Sequence, residues 1–84
     1  MKKQEIGKVT HFFNKISVAI VELSGSLKNG DKISIEGHGK VVEQIVDSMQ
    51  VDHKPVEEAK KGDAVGMKTA EPVKENDKVF KVTE

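Results

Sequence analysis

The chain has 84 residues, 36% hydrophobic and 33% charged, with fourteen basic side chains matched by fourteen acidic ones. That length holds one domain with a single core, and the balanced charge lacks the basic surplus typical of proteins that bind nucleic acid by counterion release. The absence of cysteine excludes disulfides, thiolate ligands and a cysteine nucleophile, and no apolar run approaches the roughly 18–20 residues of a membrane span.

Met1-Lys2-Lys3-Gln4-Glu5 carries no apolar stretch of the kind a secretory signal needs. Residues 1–5 read as an N-terminal tail, and a cytoplasmic protein is expected. Ile6 to Phe13 reads as a first strand, with Val9, His11 and Phe13 on one face and Lys8, Thr10 and Phe12 on the other. Asn14-Lys15 connects it to Ile16–Leu23, where Ile16, Val18 and Ile20 alternate with Ala19, Val21 and Leu23. A strand apolar on both faces is covered on both.

After a loop over Ser24 to Asp31, Lys32 to Glu36 alternates with Ile33 and Ile35 inward. Gly37-His38-Gly39 turns into a long fourth strand, Lys40 to Asp52. Its apolar phase changes between Val46 and Met49, which predicts a β-bulge near Asp47-Ser48. Pro55 to Lys60 has helical character but is long enough for about one turn only. The last strands, around Val65 and Val79, follow turns.

One phrase recurs three times: Lys28-Asn29-Gly30-Asp31-Lys32-Ile33, Lys60-Lys61-Gly62-Asp63-Ala64-Val65 and Lys74-Glu75-Asn76-Asp77-Lys78-Val79. Glycine takes positive φ without steric cost, and asparagine is the next most tolerant. Aspartate after such a residue can bond nearby amides and hold the turn closed. Gly30, Asp31, Gly62, Asp63, Asn76 and Asp77 are therefore expected to form turns, each delivering the chain into a strand. Short strands between turn signals predict an all-β domain, a small closed antiparallel β-barrel of about six strands with at most one short helical turn.

Catalytic signatures are missing. There is no Gly-x-x-x-x-Gly-Lys-Ser/Thr phosphate loop and no Gly-x-Ser-x-Gly elbow. His11, His38 and His53 are widely separated and form no ligand pair. Glu57-Glu58 and Asp52 read as solvated acidic positions. No catalytic residue, metal, cofactor, nucleotide hydrolysis, small-molecule substrate or membrane association is expected. Phe12, turned outward beside Lys8, is the position suited to stack on a base or anchor a partner.

Four segments, in order, resemble the second domain of elongation factor Tu and related translational GTPases. They are Ile6-Gly7-Lys8-Val9, Gly25 to Ile33, Met49-Gln50-Val51 with Pro55 to Gly66, and Asn76-Asp77-Lys78-Val79. The short form also resembles free-standing elongation-factor-like proteins. The resemblance spans residues 6–82 as one domain, with 83–84 a C-terminal tail. It implies a translation-protein barrel that binds RNA, a tRNA 3′ end or ribosomal RNA, without GTPase activity and without being an enzyme. In that family a glutamate of the fourth strand faces the terminal adenosine, and the matching position here is Gln50. Lys8, Phe12, Lys15 and Gln50 are then the candidate RNA- or partner-binding residues. The second reading is an accessory barrel that docks on a protein partner such as an enzyme, or on itself.

Overall fold

The computed structural model describes residues 2–37 and 39–83. Every regular element in them is a strand: β1 (Lys2–Phe13), β2 (Val18–Leu23), β3 (Leu27–Lys28), β4 (Lys32–Gly37), β5 (Lys40–Ile45), β6 (Met49–Val51), β7 (Lys54–Val56), β8 (Glu58–Ala59), β9 (Ala64–Lys68) and β10 (Lys78–Thr83). The chain is all-β. Eight strands form one antiparallel sheet in the order β5-β4-β10-β1-β2-β9-β6-β7, and β3 pairs with β8 in a separate ribbon.

The repeated phrase has a common geometry. In each copy the aspartate N–H donates to the lysine carbonyl three residues back, at 3.1, 3.0 and 3.2 Å. The aspartate carboxylate in return accepts that lysine's main-chain N–H, at 2.9 Å each time. The lysine contributes only its backbone. The residue before the aspartate has positive φ: 94° at Gly30, 94° at Gly62 and 73° at Asn76. This is the signature of a type II turn.

Each turn also clasps one buried aliphatic residue elsewhere in the chain. Gly30 N–H donates to the Val46 carbonyl, and Val46 N–H to the Asp31 carbonyl. Gly62 and Asp63 bond Leu23 in the same way, and Asn76 and Asp77 bond Val9. Two residues thus stand opposite one, with the first in the left-handed region, which is the geometry of a G1 bulge. The phrase recurs because the fold uses the same clasp three times to pin Val9, Leu23 and Val46, all at most 3% exposed. A Cβ at Gly62 would meet nothing within 4 Å. Gly62→Ala should therefore destabilise by the conformational term alone, about 1–2 kcal/mol, seen as a lower urea midpoint at unchanged slope.

Several expected elements differ. Residues 2–5 lie within β1 and pair with β10 from Lys2↔Thr83 to Glu5↔Phe80, rather than forming a tail. Among the described residues ten strands replace about six, because several are only two or three residues long. The expected long fourth strand is two strands: β5 pairs with β4, and after residues 46–48 the chain changes partner, so that β6 pairs with β7 and β9. The change of apolar phase comes from that change of partner, and Val42, Val46 and Met49 all reach the core.

Pro55 to Lys60 contains no helical turn. Asp52 and His53, at φ 52° and 64°, make a two-residue hairpin of the type I′ class. It sets Pro55 opposite Gln50 in β7, the last strand of the sheet. An edge tolerates proline, which has no N–H to give. The Asn14-Lys15 connector is a four-residue turn over residues 14–17, with Ser17 at φ 55°.

The sheet surrounds one core that includes Ile6, Val21, Ile33, Ile35, Val65 and Val79, each at most 2% exposed. Leu27 and Ala59, paired across the β3–β8 ribbon, belong to the same core. By backbone pairing the sheet stays open, with β5 and β7 at its ends. Among the described residues no helix is long and apolar enough to cross a membrane.

Candidate interaction surfaces

A bulge in β1 decides which side chains face outward. The β1–β2 register shifts between Val9 and His11, and the extra residue, Thr10, inverts the alternation beyond it. Phe12, expected outward, packs partly against the core. Phe13, expected inward, is 51% exposed, with the His11 ring stacked 6.5 Å away between centroids.

The outer face of β2 continues this apolar surface. Ala19, Val21 and Leu23 point into the core, while Val18 and Ile20 on the other face are half-buried. Ile16, in the preceding turn, is 60% exposed. Ile20 pairs with Gly66, and Gly66 with Gln50. With no side chain at Gly66, a groove of about 360 Å³ runs along Phe13, Ile16, Val18 and Ile20, with Gln50 and His53 also in its lining. A second cavity, about 310 Å³, is lined by Phe12, Lys40, Pro72, Val73, Lys74 and Asp77 among others.

The residues singled out in the sequence do not form one site. Lys8 is exposed, opposite Glu22 on one side and Lys78 on the other. The bulge separates its face from that of Phe12. Lys15 stands exposed in the turn after β1. Phe12 and Gln50 line different cavities. The exposure of Phe13 escaped the sequence reading because nothing local marks the bulge at Thr10, and Ile16, read as the start of the second strand, lies in the turn before it.

Charge is organised locally. Lys3 bonds the Glu36 carboxylate across β10 at 2.5 Å, and the buried Ser34 hydroxyl donates to the same oxygen at 2.8 Å. The bond from Lys3, then that from Ser34, hold the Glu36 carboxyl below its ordinary value, and Glu36 holds the Lys3 ammonium above its own. His11 Nδ1 lies 3.3 Å from Glu75, His53 lines the groove, and His38 lies outside the described residues. Among those residues no three His, Cys, Asp or Glu side chains group so as to hold a metal ion.

Over 84 residues the chain is 49% identical to an uncharacterized protease of Methanocaldococcus jannaschii, a match covering 99% of this chain and 21% of the relative. Over 82 residues it is 33% identical to a collagenase of Porphyromonas gingivalis, covering 95% of this chain and 23% of the relative. The chain thus spans about a fifth of the length of the curated relatives it matches. Two crystal structures of the C-terminal domain of a candidate U32 peptidase from Geobacillus thermoleovorans superpose on it. Their TM-scores are 0.86 and 0.89, at 15% and 16% identity, covering 90% and 95% of this chain and 96% and 93% of theirs. The chain has that domain's fold. No protein-family model matches it.

These findings overturn the resemblance to elongation factor Tu and the translational role drawn from it. The relatives are named as proteases, and the matching solved domain comes from a candidate peptidase. The expectation that the chain is not an enzyme is overturned with it, since the relatives are named protease and collagenase. The four matching segments were chiefly turns and the strands after them. Turn chemistry is dictated over four residues, so unrelated β-domains arrive at the same Gly-Asp punctuation.

Proposed function

We propose that this chain works in peptide-bond hydrolysis as the β-domain of a U32-type peptidase, docking through the β2 groove on the remainder of the enzyme. The observation that carries this reading is 49% identity, along 99% of the chain, to a protein named as a protease and nearly five times as long. The groove supports it, since Phe13 and Ile16 expose apolar surface of the kind that marks contact sites.

The curled sheet is read further as a barrel whose last seam, between β5 and residues 68–72, is closed by side chains. Gln44 Nε2 donates to the Lys68 carbonyl at 2.8 Å, and Gln44 Oε1 accepts the Ala70 N–H at 2.7 Å. Lys40 Nζ donates to the Pro72 carbonyl at 3.1 Å.

The test removes the matching segment from the M. jannaschii relative and assays cleavage of gelatin. Cleavage should fall about a hundredfold, the low end of what a linked binding module supplies, and recover when this chain is added. Ile16→Asp, on the exposed side of the groove, should fold normally and restore little. Unchanged cleavage after the deletion, or equal rescue by Ile16→Asp, refutes the reading. Gelatin cleavage by this chain alone would place the bond-breaking groups within it.

A further inference from the structure

The free edge of β5 differs from the other edge of the sheet. β7 is three residues long and carries Pro55, a common way of blunting an edge against further pairing. β5 has six residues and no proline, and its Val41 and Ile45 are 56% and 54% exposed. Alternate residues of an antiparallel strand turn their backbone groups toward and away from one neighbour. Val46 N–H bonds the Asp31 carbonyl, on the side of β4. Parity therefore turns the backbone of Val41, Glu43 and Ile45 outward. The same three side chains are exposed.

Beyond this edge lie residues 68–72, joined to β5 by side chains and not by a ladder. The Gln44 carboxamide bonds a carbonyl and an N–H two residues apart, at Lys68 and Ala70, as the N–H and C=O of one residue in a parallel neighbouring strand would. Between them the Thr69 hydroxyl is buried without a partner among the described residues, a cost the closed seam leaves unmet. The seam is thus lined on both sides with strand-spaced backbone groups, and one side-chain amide holds the place of a missing strand.

We infer that β5 takes up an extended polypeptide segment as an added antiparallel strand, with apolar residues opposite Val41 and Ile45 and a basic residue opposite Glu43. Main-chain hydrogen bonds to the edge hold the segment, and the alternate side chains select it. Charge argues against a second copy of this chain as the occupant. Antiparallel pairing of two copies that sets Val41 opposite Ile45, through the outward backbone groups, also sets Glu43 opposite Glu43, and like charges directly opposite destabilise a ladder. The incoming strand displaces the Gln44 and Lys40 bridges, which are side-chain contacts at the surface. This inference deepens the peptidase reading and rests on it for one point, that the strand is substrate polypeptide.

The probe is a blocked peptide, Thr-Val-Thr-Lys-Thr-Val-Thr, titrated into the 15N-labelled chain and followed by amide shifts. Saturable shifts over residues 40–45 and 68–72 are expected. Replacing the central lysine of the peptide by glutamate should weaken binding about fivefold, and methylating the backbone nitrogens of its valines and lysine should abolish it. The double variant Val41→Lys, Ile45→Lys should also lose binding at an unchanged melting temperature. Absence of shifts at millimolar peptide, equal binding of the methylated peptide, or shifts mapping to the β2 groove overturns the inference. If the peptide binds but deletion leaves gelatin cleavage intact, the strand site stands and the peptidase reading fails; the opposite pair of results separates them the other way.

Discussion

Leu27→Ala should lower stability by about 3–4 kcal/mol, the range for a buried leucine whose cavity cannot collapse. Leu27 is fully buried although it sits on a two-residue strand, and its cross-strand partner Ala59 is 1% exposed. The β3–β8 ribbon is held by that pairing and by the Asn29 N–H bond to the Glu57 carbonyl at 2.9 Å. Its attachment to the core therefore depends on this one large side chain. A domain of this size loses roughly 4–8 °C of melting temperature per kcal/mol. Circular dichroism should accordingly show a fall of about 15–25 °C, a large part of the margin available to a small domain. A fall below about 5 °C would mean that the ribbon contributes little to the core.

Gly7→Ala should cost about 2–3 kcal/mol by overpacking. Gly7 lies between β10 and β2, opposite Val79 and Leu23, just past the register shift that lets Ile6 turn inward. A Cβ there would stand 2.7 Å from the Glu22 carbonyl oxygen and 2.9 Å from Val21 Cγ1. The first is backbone in a ladder, and the second belongs to a side chain with no exposed surface. Neither can give way without moving a strand. Gly66→Ala is the control, since its new Cβ would meet nothing nearer than 3.5 Å and should change stability by less than about 0.5 kcal/mol. Urea unfolding of the two variants side by side measures the difference, and equal midpoints would contradict the account of β1.

The two surfaces proposed for function share an origin. Both lie where the sheet leaves apolar side chains uncovered: the outer face of β2 with its preceding turn, and the outer side of β5. The β2 face has its floor opened by Gly66 and suits a broad contact with another folded part. The β5 edge has no ladder partner beyond β4 among the described residues and suits an extended segment. Substitutions at Ile16 and at Val41 with Ile45 therefore separate docking from strand capture, because Ile16 lies in the turn before β2 and the other two lie on β5.

What the sequence determined by itself is its short-range grammar. Strand formers between glycine, asparagine and aspartate turns make an all-β chain. Ile33 and Ile35 alternate into the core from β4, and Val65 and Val79 enter it two residues after the aspartates of Gly-Asp and Asn-Asp. Propensity, turn chemistry and period-two burial act over a few residues and can be read one segment at a time.

Cross-strand partners decided the rest. The bulge at Thr10 exchanged the faces of Phe12 and Phe13, and the change of partner after Ile45 split an expected long strand in two. Neither leaves a local mark, because a register is fixed by the strand opposite and one extra residue reverses every side chain beyond it. The candidate surfaces depend on those reversals. The sequence could supply their apolar residues, and only the paired sheet could say which of them meet solvent.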